Sequence, residues 1–188
     1  AGLPTTDSTA VTLRVRAGGI ITHKRISALF EAQGTLALGT DYYDGLHGAA
    51  TRPLIGDPQN IAIHRLQLQY RNKRLAVTAG RQRISLDDDR FVDAALFRQN
   101  AVTYDAARIE WTPTPKLKAD ITYAWSVRTV WGIDGTGARQ RAISGDNIFA
   151  NLSYVTPVGT VTGYAYLVDQ DEAAVQGYRL SNQTYGVE

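Results

Sequence analysis

Cysteine is missing from all 188 residues, which removes disulfides, thiolate metal sites and cysteine nucleophiles together. Also missing is any apolar run approaching the ~18 residues that a membrane-crossing helix needs. That excludes helical membrane proteins but not barrels, whose strands alternate and never look apolar in a long window. Histidine is scarce: His23, His47 and His64 lie in separate segments, and no nucleophile constellation accompanies them. Neither sign of charge dominates, since 20 basic and 18 acidic residues leave +2, so net charge makes no case for a nucleic-acid partner. The glycines between Gly132 and Gly137 lack a following Gly-Lys-Ser/Thr, so that segment reads as a flexible loop and not a phosphate cradle. No cofactor and no enzymatic reaction are expected.

What is present points to β-structure. Tyrosine (10), tryptophan (3) and glycine (17) are frequent, and no compositional break marks a linker, so residues 1–188 read as one domain. Period-two alternation recurs along the chain while helical periodicity is hard to find. Val11, Leu13 and Val15 alternate with Thr12, Arg14 and Arg16; Ala28, Phe30 and Ala32 with Leu29, Glu31 and Gln33. His64, Leu66, Leu68 and Tyr70 alternate with Arg65, Gln67 and Gln69, and the same pattern returns at 75–79, 107–111, 117–126 and 147–154. The stretch 160–168 is apolar on both faces, and 184–188 looks like the opening of another strand. This makes roughly eight strands of ~8–11 residues, long enough to cross a bilayer at a tilt.

The connections alternate in length. Those at 17–25, 71–73, 112–116 and 155–159 are short, with Pro113, Pro115 and Pro157 suited to tight turns. Those at 38–59, 84–100, 129–146 and 169–183 are long. Every long loop then leaves from the same end, the arrangement of outer-membrane barrels. The expected fold is an all-β antiparallel transmembrane β-barrel, with about eight strands visible and a larger whole. A soluble ligand-binding barrel also alternates, with its apolar face inward, and stays an alternative. So does a barrel acting as an adhesin or membrane-bound enzyme through its loops.

Tyr70, Trp111 and Tyr154 sit on the apolar phase where strands reach short turns, as an interfacial girdle against outer-membrane lipid requires. The polar phase carries Arg14, Arg16, Arg65, Arg108 and Lys118 with Glu31, Glu110 and Asp120, and also Gln67 and Gln69. In a transmembrane barrel these line the lumen, because charge facing lipid costs ~2–4 kcal/mol at the midplane. His64 shares its phase with Leu66 and Leu68 and is expected at a rim of the apolar belt.

The segment Ala79-Gly80-Arg81-Gln82-Arg83-Ile84-Ser85-Leu86-Asp87-Asp88-Asp89-Arg90-Phe91-Val92 resembles a stretch of the bacterial alginate-export-type outer-membrane porins, G-R-Q-x-I-x-L-D-[DN]-x-R-F. Phe97-Arg98-Gln99-Asn100 and Thr103-Tyr104-Asp105-Ala106-Ala107-Arg108 continue the likeness, with weaker matches at Leu36–Tyr42 and Gly163–Leu167. The resemblance implies a monomeric barrel of more than eight strands in the outer membrane, passing polar or anionic solutes or polysaccharide. Members of that family are about twice as long, so the chain, which opens Ala1-Gly2-Leu3 and stops at Glu188, is expected to be processed or partial at its C-terminal side.

Arg81, Arg83 and Arg98 join the pore-lining candidates, because they flank and enter the second long loop, which is placed to fold back into the pore. Guanidinium forks suit carboxylate-bearing solutes, and pairing with Asp87, Asp88, Asp89 and Asp105 is the competing role. Strand phase puts Arg81 with the apolar residues, so a lumenal Arg81 needs a bulge at Gly80. Asp87, Asp88 and Asp89 together suggest a hard-cation site, against the plainer reading of a solvated loop paired with nearby arginines. The sequons at Asn151 and Asn182 are taken as chance.

Overall fold

The computed structural model describes residues 7–171 and 181–188. These form nine strands: β1 (Thr9–His23), β2 (Ile26–Asp41), β3 (Asn60–Arg71), β4 (Leu75–Gln82), β5 (Thr103–Thr114), β6 (Leu117–Arg128), β7 (Ala142–Thr156), β8 (Gly159–Gln170) and β9 (Asn182–Val187). A 3-10 turn at Gly137–Arg139 interrupts the loop before β7. Each strand pairs antiparallel with the next in sequence order, giving a single up-and-down sheet. Among the described residues β1 and β9 are its open edges.

Short turns close one end. Lys24 adopts a left-handed φ of 55° in the turn between β1 and β2. The Asn72 side chain accepts from the amides of Arg74 and Leu75 (2.8 and 2.9 Å) and so sets the turn before β4. The first connection is much tighter than its reading as residues 17–25: β1 continues through Gly18 and Gly19 to His23. A Cβ at Gly18 would lie 2.1 Å from the Phe30 carbonyl oxygen, so glycine marks a close crossing inside the ladder. That pair of glycines interrupts the alternation without interrupting the strand. At the other end lie the loops 42–59, 83–102 and 129–141; the connection after β8 falls mostly outside the described residues.

The two faces are inverted relative to a water-soluble sheet. Leu66, Leu68, Ile109, Ile121 and Leu152 are 45–56% exposed, and Ile61 is 70% exposed. On the opposite face Gln33, Thr78, Asp120, Thr122 and Asn147 are buried. The loop 83–102 folds across that face. Its Ile84, Leu86 and Val92 pack on Tyr104, Ala106, Ala124, Phe149 and Tyr166 of the wall. Phe149 meets Tyr104 and Tyr166 edge to face, at 5.9 Å in both cases. The apolar core therefore lies between a loop and the polar side of the sheet.

Candidate functional site

Strand periodicity alone would turn His64 toward the apolar side. The ladder between β2 and β3 shifts after Glu31, whose partner is Arg65, while Ala32 pairs with Ile63. His64 is the extra residue of a bulge, so it and Arg65 both turn to the polar face. His64 is buried there, at 4% exposure, and does not sit at a rim of the apolar belt. Its Nε2 lies 2.9 Å from Arg83 Nε, the donor of that pair, and 3.8 Å from Glu31.

Around it the sheet assembles a basic cluster. Arg65 forms a fork on Glu31 (3.2 and 2.7 Å), and Arg83 donates to the same carboxylate at 2.8 Å. Arg16 donates from Nε to Gln33 Oε1, while its Nη2 is buried with no hydrogen-bond acceptor among the described residues. Arg14 reaches the Arg98 carbonyl of the crossing loop at 3.0 Å. Arg65 and Arg83 thus share one carboxylate, Glu31, while Arg14 and Arg16 bond only carbonyl and amide oxygens, so positive charge is in excess there.

Nearer the short turns the same face is more balanced. Arg108 forks on Asp120 (2.9 and 2.6 Å), Lys118 stands 4.0 Å from Asp120, and Arg71 contacts Glu110 at 3.3 Å. Gln69 donates to Thr78 Oγ1 at 2.8 Å. Gln67 occupies the same face, opposite Gly80.

The crossing loop is tied at both sides of the concave face. Asp87 accepts from the Tyr166 hydroxyl and from Asn151 Nδ2. Asn100, 1% exposed, accepts from Gln33 (3.2 Å) and Thr35 (2.9 Å) and donates to the carbonyls of Pro58 (2.7 Å) and Val130 (3.2 Å). Gln33, Thr35, Asn100 and Tyr166 were not singled out from the sequence. Their side chains meet across separations of 65 to 79 residues, which periodicity does not encode.

One candidate, Arg81, lies elsewhere than expected. Arg81 pairs with Leu66 and Asp105, and neither ladder shifts at Gly80. Gly80 takes a φ of 110° without adding a residue, so Arg81 stays on the apolar row near the long loops and not on the polar face. There it forks on Asp105 (2.7 and 2.9 Å), which Arg128 joins at 3.2 Å. Arg98 lies in the crossing loop, where its carbonyl accepts from Arg14 and its guanidinium donates to the Gly56 carbonyl at 3.0 Å and stacks on Phe97. Asp87, Asp88 and Asp89 do not converge: Asp87 faces Tyr166 and Asn151, Asp88 pairs with Arg90 at 3.4 Å, and no metal-ligating group forms among the described residues. Outside the strands, burial pushes the Tyr42 phenol above its ordinary range, with Asp44 and Asp57 adding to the shift.

Tyr70, Trp111 and Tyr154 lie on the apolar face, on successive rows two residues apart along the ladders. Trp111 and Tyr154 are 48% and 51% exposed, and all three lie within a few residues of short turns.

No protein-family model and no curated protein matches the chain. Among solved structures it is similar to OpdL. That crystal structure, from Pseudomonas aeruginosa, is 14% identical with a TM-score of 0.39, and the match covers 94% of this chain. The chain spans about half of OpdL, 52% of its length. A likeness of that size carries no weight for function, which has to come from the geometry above.

Proposed function

We propose that the chain is a wall of an outer-membrane pore that lets polar, chiefly anionic, solutes pass without chemical conversion. The observation behind this reading is the sidedness of the sheet. Leucine, isoleucine, tryptophan and tyrosine stand bare on one side, while arginines, glutamines and carboxylates are gathered on the other under a loop. In water that apolar side would be costly, since each large side chain left exposed forgoes ~1.5–3 kcal/mol. Against hydrocarbon it is the stable arrangement, and the polar side then encloses water.

Anion preference follows from the excess of Arg14, Arg16, Arg65 and Arg83 over Glu31 beside the crossing loop. Guanidinium forks match carboxylates, so sugar acids of the uronate kind fit, in keeping with the alginate-export resemblance of residues 79–108. The test is conductance across a planar bilayer under a salt gradient. A reversal potential on the anion side supports the reading. A chain that remains monomeric and soluble without detergent, or a cation-selective current, overturns it.

A further inference from the structure

The short-turn end of the sheet is a basic rim. Backbone hydrogen bonds stitch its turns into one edge: Arg71 N to Arg25 O at 2.8 Å, Thr112 N to Arg74 O at 2.7 Å and Val155 N to Lys116 O at 2.8 Å. Within three residues of any of these four turns the chain has no Asp or Glu, whereas Lys24, Arg25, Lys73, Arg74 and Lys116 stand exposed along it. The acids nearest the turns, Glu110 and Asp120, are paired with Arg71 and Arg108 on the polar face, while Asp41, Asp44 and Asp57 lie at the opposite end. The cations of the lumenal cluster and of Arg71 and Lys118 have carboxylates beside them; those of the turns do not.

The side of the wall on which they stand identifies the partner. The Arg25 guanidinium lies close to the Tyr70 hydroxyl, on the apolar face, and Asn72 Nδ2 donates to that oxygen at 3.2 Å. Trp111 lies on the same face one row nearer the turn, paired with Leu75 beside Arg74. Cation, phenol and amide donors directly above an aromatic band are the chemistry of a phospholipid headgroup site: rings at the acyl boundary, donors at the phosphate. A solute entering the pore would instead meet the inner face.

We infer that this rim docks the phosphates of anionic phospholipids in the leaflet that faces the short turns. The inference rests on the membrane reading above and adds a lipid preference to it. Each basic residue near an anionic surface adds about 1 kcal/mol, an effect that salt screens over a Debye length.

The test inserts the full chain into vesicles of phosphatidylcholine alone or of equimolar phosphatidylcholine and phosphatidylglycerol. Flotation measures insertion, and mass spectrometry after detergent extraction measures the retained lipid. The wild type is expected to retain phosphatidylglycerol over phosphatidylcholine by about tenfold or more, with high salt lowering the ratio. The fourfold variant Arg25→Gln, Lys73→Gln, Arg74→Gln, Lys116→Gln is expected to insert but lose that enrichment, whereas Arg90→Gln on the crossing loop, inside the polar face, keeps it. Equal retention by wild type and fourfold variant overturns the lipid site and leaves the pore intact. Failure of the wild type to enter either vesicle removes both. Binding of a soluble oligouronate that the fourfold variant loses, without lipid enrichment in the wild type, assigns the rim to solute capture instead.

Discussion

Arg16 and Arg108 are both arginines on the polar face, yet they have different local environments. Arg108 is matched by Asp120, so its charge is largely cancelled close by; Arg16 has only the amide oxygen of Gln33 on Nε and a buried Nη2 without an acceptor. Arg16→Gln is therefore expected to lower anion preference more than Arg108→Gln. A unit charge ~7 Å from a passing ion in water-like dielectric is worth ~0.6 kcal/mol, favourable for the anion and unfavourable for the cation, so anion-to-cation permeability should fall about sevenfold. Reversal potentials of the two variants under one salt gradient decide the order. Arg81 is the contrasting case, because its row faces away from the lumen. Arg81→Gln should leave selectivity unchanged and lower unfolding stability by about 1–3 kcal/mol through the lost fork on Asp105. An altered reversal potential in that variant would return Arg81 to the pore.

At the scale of elements, the loop 83–102 is a strap between the Tyr166 side and the Thr35 side of the concave face. Asn100 is its most buried tie and serves four partners. Asn100→Leu removes all four hydrogen bonds and leaves the Thr35 hydroxyl and the Pro58 and Val130 carbonyls without that partner, while Gln33 keeps the Gln99 carbonyl. The strap is expected to loosen, raising single-channel conductance and the rate of proteolysis between 83 and 102, at a stability cost of a few kcal/mol. Unchanged conductance with intact folding would mean the strap does not limit the passage. Glycines test the sheet itself. Gly80 combines a φ of 110° with a would-be Cβ 2.3 Å from the Leu66 carbonyl oxygen, while a Cβ at Gly34 meets nothing within 4 Å. Gly80→Ala should destabilise the fold by about 1–3 kcal/mol and Gly34→Ala by far less, as denaturant unfolding would show.

For the whole molecule, the claim is sidedness. Leu68 and Gln67 are neighbours in β3 that face opposite ways, and Leu68 is 56% exposed. Leu68→Arg is expected to cost ~2–4 kcal/mol in bilayer folding, whereas Gln67→Arg costs little, because only the first puts charge against hydrocarbon. Folding yields into vesicles, compared as a pair, check this; equal yields would contradict a lipid-facing leucine row.

The sequence by itself determined the elements, their count and their antiparallel order. Alternation is a local property with a period of two, and loop length is read directly along the chain, so β3 to β8 and the short and long ends were legible from residues such as Leu66, Leu68, Pro115 and Pro157. It also assigned the faces, apart from the places where one residue breaks the period. Only the tertiary structure decided those. The bulge at His64 turns a residue that shares the leucine phase into the arginine cluster, and Gly80 bends the chain without inserting a residue, so Arg81 stays outside. Only it decided, too, that Asn100 meets Thr35 and that Asp87 meets Tyr166, since those contacts depend on how a long loop closes over a curved sheet. A bulge or a loop closure is an energetic compromise among distant segments, and a pattern of near neighbours carries no record of it.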